Sequence, residues 1–193
     1  MTLVCATQTE ARAARRTGAR TAVVGIGARR DLPEGSIVSF GLAGGLHDGL
    51  ACGEVLDVTR VVDADGAVLW EGSPLGASGA RHGTIVAVDA VLDDPAERHR
   101  LRERTGADAA DMESGVLART HRLAGCLRAI SDTPTRTLGP VAHAVDADGR
   151  LTLPGLFGLV RHPRRTASAL ANVRRALHSL QQVVARNGSE VSA

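Results

Sequence analysis

The chain has 193 residues, of which 44% are hydrophobic and 23% charged, with a formal net charge of +2. This fits one globular domain and excludes a disordered or collagen-like chain. Aromatic residues make up only 2% of the sequence and tyrosine is absent, which disfavours a nucleic-acid platform built on stacked rings. Every basic residue other than histidine is arginine. The short cluster of Arg161, Arg164 and Arg165 is expected to be solvated surface.

Targeting and metal-binding signals are missing from the sequence. No stretch reaches the roughly 18 apolar residues of a membrane span, and no basic segment precedes an apolar one at the N-terminus, so we expect a cytoplasmic protein. Cys5, Cys52 and Cys126 are odd in number and far apart, and are expected to be reduced and mostly buried. The seven histidines show no ligand spacing, so no metal or other cofactor is expected.

Apolar runs alternate with amphipathic segments, which predicts strands alternating with helices. Glycine-rich exits follow two strands, at residues 25–27 and 41–45, and a turn at 63–66 indicates a hairpin. The predicted strands are 2–6, 21–24, 36–40, 54–62, 67–70, 84–88, 109–112 and 127–130. The predicted helices are 9–16, 95–105 with Asp94 as N-cap, 113–124, and 166–185 with Leu170, Val173, Leu177, Leu180 and Val184 on its apolar face.

This order of elements predicts an α/β fold in which a mostly parallel mixed sheet lies between two layers of helices. A single domain is expected over residues 1–187, followed by a frayed tail at 188–193. Residues 137–153, which proline and glycine interrupt, are expected to form a loop. The stretch at 28–36 is too short for a whole helix.

Ligands of such sheets collect at the carboxyl ends of the strands, where four positions are notable. Glu10 could be catalytic or could complement a helix dipole. The glycines at 41–45 could approach a ligand or form a tight turn. Asp111 or Ser114 could cap a helix, and the Ser-Asp pair at 131–132 could begin a turn.

Taken together, these four positions indicate a function more specifically than any one of them does alone. Three segments of the chain carry the residues in question: Phe40-Gly41-Leu42-Ala43-Gly44-Gly45-Leu46, Ala110-Asp111-Met112-Glu113-Ser114 and Arg128-Ala129-Ile130-Ser131-Asp132. In wording and order they resemble the motifs of the nucleoside phosphorylase and nucleosidase family. That family includes methylthioadenosine/S-adenosylhomocysteine nucleosidase. The resemblance extends over residues 4–132, and it implies that the chain is an enzyme with the family's α/β fold.

The resemblance also implies a role for each residue. Asp132 would protonate purine N7, which at neutral pH requires burial to raise its pKa, and Ser131 would orient it. Glu113 would accept hydrogen bonds from the ribose hydroxyls, and Glu10 would act as base on water. The other implied contacts are Met112 at the sugar, Arg128 holding charge near the site, Val91 and Leu92 at the base, and Leu42, Ala43, Gly44 and residues 25–27 at the nucleophile.

Differences between this sequence and the family's pattern bear on which nucleophile is used and on how the base is held. The interval 10–23 lacks the hairpin that often supplies a phosphate-binding arginine, and Leu42 replaces a hydroxyl residue of some relatives. Phosphate is therefore disfavoured as nucleophile, although Arg29 or Arg30 could bind it. Val91 stands where nucleosidases stack an aromatic ring on adenine, so the base would be clamped by aliphatic side chains.

We therefore expect an N-ribosyl hydrolase acting on an adenosine-type nucleoside with an apolar 5′ substituent. Residues 39–46 and 60–66 most resemble the hopanoid-associated branch of the family, for which adenosylhopane is the expected substrate. A phosphate-dependent phosphorylase and a non-catalytic nucleoside-binding protein remain as alternatives. The resemblance implies a homodimer or higher oligomer. Trp70 and Phe157 are candidates for a pocket wall, an interface or ordinary core.

Overall fold

The computed structural model describes residues 1–141, 144, 159 and 161–190. Its elements are eight strands, four helices and one 3-10 turn. The strands are β1 (Thr2–Cys5), β2 (Thr21–Val23), β3 (Ile37–Gly45), β4 (Val55–Val62), β5 (Val68–Glu71), β6 (Arg81–Ala87), β7 (Ala109–Asp111) and β8 (Leu123–Asp132). The helices are α1 (Gln8–Arg15), α2 (Pro95–Thr105), α3 (Ser114–Ala118) and α4 (Pro163–Glu190), and the 3-10 turn is Gly139–Val141.

The described strands form one mixed sheet in the order β2-β1-β3-β7-β6-β4-β5. The pairings β1–β2, β1–β3, β3–β8, β4–β6 and β6–β7 are parallel, and β3–β7, β4–β5 and β4–β8 are antiparallel. The predicted α/β fold with a mostly parallel mixed sheet is confirmed. Because β8 pairs with both β3 and β4, the sheet also curls back on itself, which the order of elements did not reveal.

Alternation along the strands divides the core between the two faces of the sheet. On one face, helices α1 and α4 pack through Ala14 and Leu180 against Phe40 and Leu127. On the other face α3 places Leu117 among the remaining strand residues, which include Val4, Ile37, Leu56, Val58, Ile85, Cys126 and Ile130. Helix α2 covers a third, smaller cluster through Leu101. All three cysteines are buried, as predicted.

Three elements that later carry the site have boundaries that were wrongly predicted. Strand β8 spans Leu123–Asp132, whereas 127–130 was predicted. Strand β3 continues through Gly45, so residues 41–45 are a strand and not a loop. Helix α3 has only five residues because the chain reverses at His121, whose φ is +56°. Residues from Leu123 onward instead pair with β3, so the backbone hydrogen bonds of the sheet replace the last two turns of the predicted helix.

Helix α2 begins where it was predicted, whereas α1 begins one residue earlier and α4 three residues earlier than predicted. Asp94 caps α2 by accepting a hydrogen bond from the Ala96 amide at 2.9 Å, and Gly106 ends the helix with φ +68°. Helix α4 is longer than predicted and includes residues 188–190, which were expected to belong to a tail. On its predicted apolar face Leu177 and Leu180 are buried, whereas Leu170 is exposed.

Residues 142–143 and 145–153 of the predicted loop lie outside the described residues, as does Phe157, the candidate for a pocket wall, an interface or core. No helix is present between β2 and β3, as the short interval at 28–36 predicted. None of the described helices, α4 included, is both long enough and apolar enough to cross a membrane.

A close contact between α3 and β6 gives the first testable prediction. A Cβ atom added to Gly115 would lie 2.5 Å from the Cβ of Ala87, so Gly115→Ala must push α3 off the sheet and should lower the free energy of unfolding by about 1–3 kcal/mol. The matched control is Val116→Ala at the exposed next position, expected to change stability by about 0.5 kcal/mol or less. Urea denaturation measures both, and equal stabilities would contradict the predicted clash.

Candidate active site

A cavity of about 250 Å³ lies where β1, β3, β7 and β8 end. It is lined by ten of the eleven residues that the sequence predicted for the site, and Arg128 is the exception. The ten are Glu10, Leu42, Ala43, Gly44, Val91, Leu92, Met112, Glu113, Ser131 and Asp132. Ile26 of the predicted stretch 25–27 also lines the cavity.

Glu10 acts at the start of α1, as one of the two interpretations from the sequence expected, and it also lines the cavity. Its Oε2 accepts hydrogen bonds from the Thr7 amide at 2.8 Å and the Thr7 hydroxyl at 3.0 Å, which forms a capping box at the start of α1. Its Oε1 accepts one from the Leu42 amide of β3 at 2.9 Å. A carboxylate offers about four acceptor positions, so one remains on Oε1. Glu10 is thus fixed by the fold and keeps one position for a ligand or water.

Glu113 follows β7, and its Oε1 accepts a hydrogen bond from the Gly27 amide at 2.9 Å. Burial raises the pKa of Glu113 to about 8, and the negative charges of Asp111 and Glu10 act in the same direction. Arg128 and the Gly27 amide oppose the rise without cancelling it. Burial therefore favours the protonated form of this carboxyl group near neutral pH.

Asp132 is the last residue of β8 and is only 2% exposed. Its Oδ1 accepts a hydrogen bond from the Ser131 hydroxyl at 2.6 Å, and the same hydroxyl lies 3.2 Å from the carbonyl oxygen of Ala43. Burial raises the pKa of Asp132, whereas the Arg98 charge and the hydrogen bonds from Ser131 and Arg98 act against the rise. A raised pKa is what a carboxylic acid needs to donate a proton near neutral pH.

Arg98 also lines the cavity, and the sequence analysis missed it. It lies on α2, is 2% exposed, and its Nη2 donates to Asp132 Oδ2. No sequence signal marks it, because Arg98, Arg100, Arg102 and Arg104 alternate along one highly charged helix. Only the packing of α2 on the sheet decides which of them is buried.

Arg128 lies behind the cavity wall and not in it. Its Nε donates to Asp111 Oδ2 at 2.5 Å, and its Nη2 donates to the hydroxyls of Ser39 at 2.5 Å and Ser114 at 3.1 Å. Asp111 also accepts from the Ser114 amide at 3.0 Å, at the start of α3. This buried network fixes the strand-to-helix step that carries Met112 and Glu113.

Two glycines of β3 allow the carboxyl groups of Glu10 and Asp132 to lie close to the strand backbone. A Cβ at Gly41 would lie 2.5 Å from Glu10 Oε1, and one at Gly44 would lie 3.3 Å from Asp132 Oδ2. Neither glycine has a positive φ. The glycines do not form a turn. They are needed because side chains from two other elements approach the strand backbone.

The base wall and the remaining candidates are also located. Val91 and Leu92 line the cavity beside Val88 and Ala90, so this wall is aliphatic in the described residues. Trp70 lies elsewhere, packed on the core, with its indole N–H donating to the Leu123 carbonyl at 2.8 Å.

Solved structures share this fold. 5′-Methylthioadenosine/S-adenosylhomocysteine nucleosidase from Helicobacter pylori superposes with a TM-score of 0.65 at 14% identity, covering 98% of this chain and 97% of its own. 5′-Methylthioadenosine nucleosidase from Arabidopsis thaliana gives 0.54 at 17% identity, covering 97% of each chain. Futalosine hydrolase from Helicobacter pylori gives 0.52 at 14% identity, covering 89% and 95%.

The chain therefore has the α/β fold of these nucleosidases, in agreement with the resemblance in its motifs. No protein-family model and no curated protein sequence matches it. At such low identity the likeness establishes the fold, while function has to be argued from the residues of the cavity.

The buried Asp111–Arg128 pair gives the second prediction. Both side chains are at most 2% exposed, so Arg128→Met leaves an unpaired buried carboxylate and should lower the free energy of unfolding by about 3–5 kcal/mol. The double variant with Asp111→Asn should lose less than the sum of the single changes. The exposed Arg60–Glu71 pair provides the control, because Arg60→Met should cost about 1 kcal/mol or less. Strict additivity of Arg128→Met and Asp111→Asn would contradict the pairing.

Proposed function

We propose that this protein hydrolyses the N-ribosidic bond of an adenosine-type nucleoside and releases adenine. Four acidic residues line one cavity, and Asp111 among them is paired with the buried Arg128 behind the wall. The observation that carries the proposal is that the other three, Glu10, Glu113 and Asp132, present carboxyl groups in three different environments. Cleavage of this bond passes through a positively charged, oxocarbenium-like sugar. It requires an acid for the leaving base, negative charge near the sugar and a base for the nucleophile, which are three tasks for three groups.

Asp132 serves as the acid. As the C1′–N9 bond breaks, its electron pair passes to the purine, and the proton of the Asp132 carboxyl group moves to N7. Ser131 holds Oδ1 of the carboxyl group and thereby limits its rotation. Neutral adenine leaves, and Asp132 remains as a carboxylate.

Glu113 and Glu10 serve the sugar side. Ionised Glu113 accepts hydrogen bonds from the ribose hydroxyls, and its negative charge favours the positive sugar of the transition state. Glu10 takes a proton from water at its remaining acceptor position while the water oxygen bonds to C1′. The products are adenine and the free 5′-substituted ribose, and proton transfer from Glu10 to Asp132 through solvent restores the starting state.

The charges of the cavity favour water over phosphate as nucleophile. Among the described lining residues Arg98 is the one cation, and its side-chain nitrogens already donate to Leu92, Gly45 and Asp132. Glu10 and Glu113 would repel a phosphate dianion. Arg29 and Arg30 are exposed and do not line the cavity. The geometry thus supports hydrolysis and disfavours phosphorolysis.

The rest of the cavity supports an apolar 5′ substituent. The lining residues without a role in base or sugar chemistry are almost all aliphatic, and they include Ala6, Ile26, Leu46, Leu138, Val141 and Val173. Such walls favour an alkyl group because its burial removes apolar surface from water. Adenosylhopane, suggested by the motif wording, is the most apolar candidate, and methylthioadenosine is the smallest.

Adenine release tests the function directly and gives the third prediction. Purified protein should release adenine from methylthioadenosine or adenosylhopane at the same rate with and without phosphate. Asp132→Asn should lower kcat by about 10²- to 10⁴-fold because the leaving base is no longer protonated. Asp65→Asn, at an exposed hairpin position, should leave the rate unchanged. No adenine from these substrates or from S-adenosylhomocysteine would refute the proposal, and phosphate dependence would make the protein a phosphorylase.

The raised pKa of Glu113 gives the fourth prediction. Binding of the ribose hydroxyls requires ionised Glu113. The contribution of Glu113 to kcat/KM should therefore rise with pH and level off above about 8, the pKa of this group in the free enzyme. Protonation of Asp132 also affects kcat/KM, so the quantity to measure is the ratio of kcat/KM for the wild type to that for Glu113→Gln, from about pH 6 to 9. This ratio should increase toward pH 8. A ratio that falls with pH would mean that Glu113 acts in its protonated form.

A further inference from the structure

Arg98 makes a set of contacts that the proposed function does not require. Nε donates to the Leu92 carbonyl at 2.8 Å and Nη1 donates to the Gly45 carbonyl at 3.0 Å. Nη2 donates to the Leu92 carbonyl at 2.5 Å and also to Asp132 Oδ2. Every nitrogen of the guanidinium group is engaged.

The three acceptors belong to three parts of the cavity. Leu92 is in the aliphatic base wall, Gly45 is the last residue of β3, and Asp132 is the proposed acid. Arg98 itself comes from α2, whose other described residues are exposed or half-buried apart from Leu101. One buried cation on α2 thus joins the Leu92 segment to the ends of β3 and β8.

We infer that Arg98 is a positioning residue, which holds Asp132 and the Leu92 backbone in one rigid unit so that the acid is aligned with the base lying against that wall. This inference rests on the proposed function. Arg98 acts through Asp132 and touches neither the breaking bond nor the transferred proton. A planar guanidinium group suits the task because its donors form a fixed fork, whereas an ammonium group could not reach three acceptors in different directions.

The charge of Arg98 also affects the proton transfer itself. Once N7 has taken the proton, Asp132 is a carboxylate in a buried site, where an unpaired charge is unfavourable. Arg98 stabilises that carboxylate and so makes Asp132 a stronger acid than burial alone would leave it. The other titratable groups near Asp132 are Asp93, which precedes α2 and raises its pKa, and Cys52, whose own pKa burial and Asp132 raise.

The inference requires an effect of Arg98 on the protonation of Asp132 that can be measured without turnover. In Arg98→Met the pKa of Asp132 should rise by about one to three units. It is read by carbon-13 NMR of protein labelled at the aspartate carboxyl carbons, with Asp132→Asn assigning the signal. Arg100→Met is the matched control, because Arg100 is exposed on the same helix and should leave the signal unchanged.

Activity and binding provide two further readouts. In Arg98→Met the alkaline limb of kcat/KM for adenine release should move upward with the pKa of Asp132, while kcat falls because the acid is weaker. Arg98→Lys keeps the charge, so it should restore much of the pKa. It should still bind adenine about tenfold more weakly by calorimetry, because the Leu92 wall loses hydrogen bonds. If Arg98→Met does not fold, Arg98→Gln takes its place as the variant without the charge and is compared with Arg98→Lys, which keeps it.

The outcomes separate this inference from the proposed function. An unchanged pKa of Asp132 in folded Arg98→Met would overturn the inference even if the wild type releases adenine. A shifted pKa in a protein that releases no adenine would refute the hydrolase function and leave the contact between Arg98 and Asp132 established. Full recovery of both pKa and adenine affinity in Arg98→Lys would show that only the charge matters, which would overturn the positioning role.

Discussion

The approach of two buried carboxylates to the backbone of β3 is the constraint on which the rest of this structure depends. Glu10 and Asp132 come from distant parts of the sequence and meet the strand where it has glycine and no side chain. β3 pairs with β1, β8 and β7, so the strand that accepts these carboxylates also aligns the elements that carry them. The site is therefore assembled by sheet pairing, and its loops have less influence.

Buried carboxyl groups are costly, and the protein stabilises them in two ways. Asp111 and Asp132 each have a buried arginine partner, Arg128 and Arg98 respectively. Glu10 and Glu113 are held instead by backbone amides. The groups without an arginine are the two assigned to the sugar and the water. Among the described residues neither forms an ion pair with an arginine, so under the proposed function both can respond to a positive charge that develops on the substrate.

The sequence predicted the positions of the site better than the boundaries of the elements around it. Its motifs singled out Met112, Glu113, Ser131 and Asp132, which all line the cavity. The expected convergence at the carboxyl ends of parallel strands does not account for this, because β7 runs antiparallel to β3 whereas β8 runs parallel to it. The glycines of β3 were expected either to approach a ligand or to form a tight turn, since local sequence does not show that a side chain from another element needs the space. Arg98 was missed for a related reason: four arginines on one helix are equivalent until tertiary packing buries one of them. The 5′ substituent and the oligomeric state remain predictions.

The scarcity of aromatic residues has a consequence at the cavity wall formed by Val91 and Leu92, which the proposed function places against the base. An aromatic ring stacked on a purine restricts its tilt, whereas aliphatic residues such as Val91 and Leu92 provide contact area with little directional preference. Alignment of N7 with the acid must then come from polar groups. The guanidinium group of Arg98 fixes both the wall backbone at Leu92 and the carboxyl group of Asp132, so it supplies geometric precision that the wall itself lacks. Under the proposed function, one buried arginine therefore positions the flat base in a chain with few aromatic residues, and a hydrogen-bond network takes the place of stacking.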